Sequence, residues 1–128
     1  MSAVNDRYES AVARYLEAWN AGDPETLAKA VATAWTADGS YTDPLADVSG
    51  HEQIAAVIAG ARAQFPGFSF RLSGTVEGHH DIARFTWELV SAADGSVPVV
   101  GFDVIELDGD GRIRAVHGFL DRAPAGAA

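Results

Sequence analysis

The sequence predicts an α+β fold in which three helices precede an antiparallel sheet. Three observations carry that expectation. Up to Phe65 the apolar side chains recur at helical spacing. From Phe68 onward they alternate with polar ones, the period of a strand with one face buried. Asp108-Gly109-Asp110-Gly111 then supplies a hairpin turn between the last two alternating stretches. Helices that precede a meander of strands gather on one face of the sheet. A strongly curved sheet beneath them leaves an apolar pocket in between, a common place for a small ligand.

Each element has its own signal. Val4, Tyr8, Ala11, Val12, Tyr15, Leu16 and Trp19 form one face of a first helix, and Gly22 stops it. Asp23-Pro24-Glu25 restarts the chain as N-cap, first-turn proline and first-turn acid. Leu27, Val31, Ala34 and Trp35 give the second helix its buried side. Asp38-Gly39 turns into a short extended piece, Ser40 to Thr42, and residues 44–50 read as a loop. A third helix over residues 51–65 carries Ile54, Val57, Ile58, Ala61 and Phe65, and Pro66-Gly67 ends it. Strands follow on Phe68, Phe70 and Leu72, on Ala83, Phe85, Trp87 and Leu89, from Val97 to Leu107, and from Arg112 to Leu120. Residues 122–128, rich in Ala, Gly and Pro, read as a frayed tail.

Composition narrows the function. The chain has 128 residues, the size of one domain, and no internal repeat or linker is visible. With 48% hydrophobic residues it can bury a core without staples. Having no cysteine, it has no disulfide, thiolate metal site or cysteine nucleophile. A formal net charge of -9 disfavours nucleic acid and anionic membrane surfaces as partners. The first residues lack the apolar stretch of a signal peptide, and no run reaches the length of a membrane span. The simple expectation is a cytoplasmic protein.

Three groups are hard to explain as surface. Tyr15 falls on the inner face of the first helix, Asp43 precedes Pro44, and Asp103 interrupts an apolar strand in register with Val99, Ile105 and Leu107. Acids and phenols are costly to bury unless paired or used. Together they would supply a general base and two hydrogen-bond donors for an oxyanion. Blander readings stand beside this one. Tyr15 also fits a core tyrosine bonded to a carbonyl, and Asp43 a turn-former. Asp103 also fits a buried ion pair or a partner of Tyr15 alone, although Arg84 alternates onto the opposite face. His117 alternates with the register of Val116, Gly118 and Leu120 and reads as a core or surface histidine. His79 and His80 read as turn residues. His51 opens a helix without the second histidine of a zinc motif, and the Asp108 loop lacks the final Glu of a calcium site.

Longer stretches carry a resemblance. Arg14-Tyr15-Leu16-Glu17-Ala18-Trp19-Asn20-Ala21-Gly22-Asp23 resembles the first helix and turn of the nuclear transport factor 2-like superfamily. Tyr41-Thr42-Asp43-Pro44, then Gly50-His51-Glu52-Gln53-Ile54-Ala55-Ala56, resembles the ketosteroid isomerases within it. So does Gly101-Phe102-Asp103-Val104-Ile105, followed by the Asp-Gly-Asp-Gly-Arg-Ile hairpin at 108–113. The match spans residues 8 to 121. It implies a cone-shaped, curved, mainly antiparallel sheet with three helices on its concave face. It also implies a cofactor-independent isomerase for a small apolar carbonyl compound, with room for a steroid-like ketone. Asp43 would be the base, with Tyr15 and a protonated Asp103 as oxyanion donors. Trp19, Trp35, Ile58, Phe85, Trp87, Val116, Gly118 and Leu120 would line the substrate pocket, with no metal and no cofactor. A homodimer is the expected assembly.

Two departures are visible. Trp35 and Ile58 stand where the isomerases can place supporting tyrosines, and Trp87 adds bulk. Alternatives within the superfamily are a SnoaL-like polyketide cyclase, which would need a histidine such as His117 in the pocket, and a ligand-binding module without chemistry. A limonene epoxide hydrolase fits less well, because Gly118 occupies the place of its last-strand Asp.

Overall fold

A computed structural model describes residues 3–124 of the chain. Its order is α1 (Ala3–Trp19), α2 (Pro24–Ala34), β1 (Trp35–Asp43), β2 (Ala46–Ser49), α3 (His51–Gln64), β3 (Phe68–His79), β4 (Ile82–Ser91), β5 (Val99–Leu107) and β6 (Ile113–Arg122). The helices-then-sheet order holds only in part, because β1 and β2 come between α2 and α3, while the local signals that start the helices hold. Asp23 caps α2 by accepting the Thr26 N–H at 2.9 Å, with Pro24 in the first turn. His51 anchors the start of α3, its Nε2 lying 3.1 Å and 2.9 Å from the carbonyls of Trp35 and Thr36.

The sheet runs β2-β1-β6-β5-β4-β3, with β1 and β6 parallel and every other pair antiparallel. This corrects the expected cone. The order is linear, β2 and β3 are free edges that do not pair with each other, and the sheet neither closes nor curls strongly. Closure needs ladder hydrogen bonds between the two edge strands and a matching stagger. Here β2 has only four residues and spends its pairing on β1, and the three helices fill one face instead.

Three further expectations change. Trp35 does not extend the second helix; it caps α2 and opens β1, fully buried. The stretch 44–50 is not simply a loop. A turn at Pro44-Leu45 folds Ala46–Ser49 back onto β1, so pairing supplies an order that composition did not announce. Arg122, expected in the tail, closes β6, and residues 125–128 of that expected tail lie outside the described residues.

The inner face of the sheet is set by strict alternation. In β4, Ala83, Phe85, Trp87 and Leu89 are buried, and in β5 so are Val99, Gly101, Asp103, Ile105 and Leu107. Strand pairing places Phe85 opposite Asp103, Trp87 opposite Gly101, and Asp103 opposite Gly118. The last turn of α1 is fixed to β3 by Asn20, which donates to the Phe70 carbonyl at 2.8 Å and accepts the Phe70 N–H at 2.7 Å. That clasp sets the height of Tyr15 and Trp19 over the sheet.

Gly101 has a steric role. The Trp87 indole lies against it so closely that any Cβ there would collide with the ring. Overpacking of this kind costs about 1–3 kcal/mol. Gly101→Ala is therefore expected to lower the unfolding free energy measured in urea by an amount in that range and to change Trp fluorescence, whereas Gly60→Ala, whose added Cβ meets open space within α3, leaves the fluorescence unchanged and raises stability by roughly 0.5–1 kcal/mol.

Candidate functional site

Asp103 is the polar centre of the inner face, 2% exposed in β5. Its Oδ2 accepts the Tyr15 hydroxyl at 2.6 Å and the Trp87 indole N–H at 3.1 Å. Thus α1, β4 and β5 meet at one carboxyl oxygen. Arg84 takes no part, because it bonds Glu77 at 2.9 Å on the outer face. Burial is the main influence on Asp103 and pushes its pKa up to about 6. The bonds from Tyr15 and Trp87 oppose that rise, and the Asp43 carboxylate adds to it. Burial, and then the Asp103 charge, raises the Tyr15 hydroxyl well above its ordinary range.

Asp43 ends β1. Its Oδ2 accepts the Tyr41 hydroxyl at 2.5 Å and its Oδ1 the Leu45 N–H at 2.8 Å. The two aspartates flank Gly118. A side chain at 118 would place its Cβ 2.7 Å from Asp103 Oδ1 and 3.4 Å from Asp43 Cβ. Absence of a side chain there lets both carboxyl groups share one neighbourhood.

Beside them lies an apolar cavity of about 110 Å³. Trp19, Tyr41, Asp43, Phe70, Trp87 and Leu120 are among the residues on its wall. Of the residues singled out in the sequence, Asp43, Trp19, Trp87 and Leu120 border it. Tyr15 and Asp103 lie one layer deeper, touching it through Trp19 and Trp87: the Tyr15 and Trp19 rings are 6.2 Å apart, and Trp87 bonds Asp103. Phe85 packs on the Tyr15 ring at 5.5 Å, edge to face. Trp35, Ile58 and Val116 are in the core. Trp35 approaches the Tyr15 ring at 5.5 Å, yet its indole N–H donates to the Ser40 carbonyl rather than to the phenol.

Two polar features escaped the sequence reading. Tyr41 bonds Asp43, and the signal for it was present: residues two apart on a strand leave the same face. Trp87 was expected only as bulk, and its bond to Asp103 depends on strand register. Trp19 adds a third feature. Its buried Nε1 makes no hydrogen bond, although the indole lies near enough to the Tyr15 hydroxyl to favour its anion. His117 faces the other side of the sheet, 2.6 Å from Glu106. Among the described residues no three His, Asp or Glu side chains are grouped to hold a metal, and no helix is long and apolar enough to cross a membrane.

The raised Asp103 pKa has a consequence for stability. A group whose folded pKa lies above its ordinary 3.8 contributes stability that is complete below 3.8 and lost as pH rises through about 6. Asp23 and Asp94 run the other way, lowered chiefly by backbone N–H bonds from Thr26 and Ser96, so their contribution is lost only below 3.8. Between these limits the protein is expected to gain about 3 kcal/mol on acidification. Urea unfolding at the two ends of the window checks this, and Asp103→Asn should remove the dependence.

The comparisons with known proteins come together on one family. The model of the SnoaL-like domain matches residues 12–116. A proposed isomerase of the SnoaL-like family from Agrobacterium tumefaciens str. C58 is 42% identical and superposes with a TM-score of 0.85, covering 91% of this chain and 98% of its own. A proposed SnoaL-like polyketide cyclase from Jannaschia sp. CCS1 shares the fold at 21% identity and a TM-score of 0.75, over 94% and 90% of the two chains. A Catenulispora acidiphila DSM 44928 protein with a ketosteroid isomerase-like fold, in complex with trimethylamine, does so at 19% identity and 0.65, over 84% and 82%. No curated protein sequence matches the chain. With most of its length matched by the family model, the chain belongs to the SnoaL-like family of the nuclear transport factor 2-like superfamily.

Proposed function

We propose that the protein is a cofactor-independent isomerase that shifts a carbon–carbon double bond in a small apolar ketone. The observation that carries this reading is the Asp43 carboxyl, held by Tyr41 and the Leu45 N–H on the wall of an apolar cavity. A carboxyl group held in place beside an apolar cavity is a suitable base for a proton α to a carbonyl. Asp43 takes that proton and returns it at the far end of the conjugated system. Tyr15 and neutral Asp103, which lie one layer behind the cavity, stabilise the dienolate oxygen once the Trp19 and Trp87 rings move to admit it and it displaces the bond they make to each other. A pKa of about 6 keeps the neutral form of Asp103 within reach near neutral pH. The 42% identical protein named as a proposed isomerase supports the same class of reaction.

Cavity size selects the substrate. A volume of about 110 Å³ falls below the roughly 150 Å³ of a cavity known to take benzene, and far below the roughly 300–1,000 Å³ of drug-sized sites. A single-ring ketone fits only with part of the ring outside the cavity mouth or with Trp87 swung aside, and a steroid-like ketone exceeds the space much further. The cyclase alternative loses its histidine to the outer face, where His117 meets Glu106. The binding-module alternative leaves a buried acid bonded to a phenol without a purpose. An exposed Phe119, 59% accessible and paired with Phe102 on the outer sheet face, supports the proposed homodimer.

The test uses cyclohex-3-en-1-one and follows the ultraviolet band of its conjugated isomer. Wild type should produce the band and Asp43→Asn should not. Tyr15→Phe and Asp103→Leu should each reduce kcat by about 10²–10³-fold. Equal rates in wild type and Asp43→Asn reject the reading.

A further inference from the structure

Asp43 shares the cavity wall with a second polar group. Tyr41 stands two residues earlier on β1, 3% exposed, with its ring on the same cavity and its hydroxyl on Asp43 Oδ2. The neighbouring donors point elsewhere. Tyr15 and Trp87 both donate to Asp103, whose charge the proposed reaction leaves alone. Tyr41 differs because its acceptor is the very group that the reaction neutralises. Building on the isomerase reading, we infer that Tyr41 is a catalytic residue whose hydroxyl holds Asp43 in the resting site and passes to the substrate oxygen as negative charge arrives there.

The electrons account for the transfer. The C–H bond α to the carbonyl breaks and its proton goes to Asp43. The bonding pair forms a double bond to the carbonyl carbon, and the carbonyl π pair moves onto oxygen. Asp43 is now a neutral acid and a weaker acceptor, while the enolate oxygen is an anionic and stronger one. A phenol O–H turns about its C–O bond at little cost, so the donor follows the charge. Return of the proton to the γ carbon restores the carboxylate and the resting bond. No co-reactant is needed. A bond that strengthens as charge builds on the oxygen lowers the barrier without tightening ground-state binding.

The proposal can be tested without turnover. Asp43→Asn places a neutral, weaker acceptor where the protonated base would be, which loosens the hold on the Tyr41 hydroxyl. The probe is 4-nitrophenol, whose phenolate absorbance reports a bound anionic oxygen, with 4-nitrotoluene as a shape control. Asp43→Asn should bind the phenolate about tenfold tighter than wild type, and Asp43→Asn/Tyr41→Phe should lose that gain. All three proteins should bind the nitrotoluene alike. A gain that survives in the double variant places the donor elsewhere and overturns the inference, as does the absence of any gain. Failure of the isomerase reading is recorded separately, as no conjugated enone from wild type. Should the double variant not fold, Tyr41→Phe alone decides: a fall of about 100-fold in kcat with KM unchanged supports the role, and a rise in KM alone overturns it.

Discussion

Asp103 brings a carboxyl group to 2% exposure in a strand whose inward neighbours are apolar, and among the described residues no cation pairs with it. Leaving such a group without partners would cost several kcal/mol. Two donors on Oδ2 make the burial tolerable, and they come from distant parts of the chain, Tyr15 in α1 and Trp87 in β4. Each donor in turn depends on another feature. Trp87 needs the bare backbone of Gly101, and the carboxyl needs that of Gly118. Tyr15 needs α1 held in place. Asn20 fixes one end of that helix to β3, while Arg7 and Arg14 tie its other turns to the carbonyls of His80, Asp108 and Gly111.

Around this centre the rings form a continuous packing. Tyr15 contacts Trp19, Trp35 and Phe85, and Trp19 reaches Tyr41 and Phe70, which in turn meets Trp87. Tilted and edge-to-face pairs of this kind favour fixed ring positions. The two carboxyl groups, neighbours across Gly118, have different settings. Asp103 is enclosed, and burial raises its pKa to about 6. Asp43 stands at a strand end beside a turn, with a backbone N–H and a phenol bonded to it. Two acids in unlike surroundings can hold unlike protonation states, and acid–base chemistry requires that division.

Much of the fold was legible because its causes are local. The Asp23-Pro24-Glu25 start of α2 acts through groups three residues apart, and the alternation in β4 and β5 follows from strand geometry alone. Trp35 was misplaced because it is apolar at a helical interval, while its actual conformation is set by pairing with β6. The edge strand β2 was missed for a related reason. Four residues of mixed polarity carry no pattern until β1 lies beside them. The open sheet was beyond reach too, since closure is decided by whether the first and last strands meet.

For the candidate site, the sequence by itself determined which residues have inward-facing chemistry. Tyr15 lies on an apolar helix face, and Asp103 shares parity with Val99 and Ile105. Asp43 and Tyr41 share a face by their spacing of two. Periodicity fixes direction, and direction needs no knowledge of neighbours. Only the tertiary structure decided what those groups meet. Strand register set Asp103 opposite Gly118 and Trp87 opposite Gly101. The crossing of α1 over the sheet aimed Tyr15 at Asp103 rather than at the cavity, and the volume left beside Trp87 set the size of the space. Register and crossing are sums over many weak contacts between segments far apart in the chain, so no short stretch of sequence encodes them.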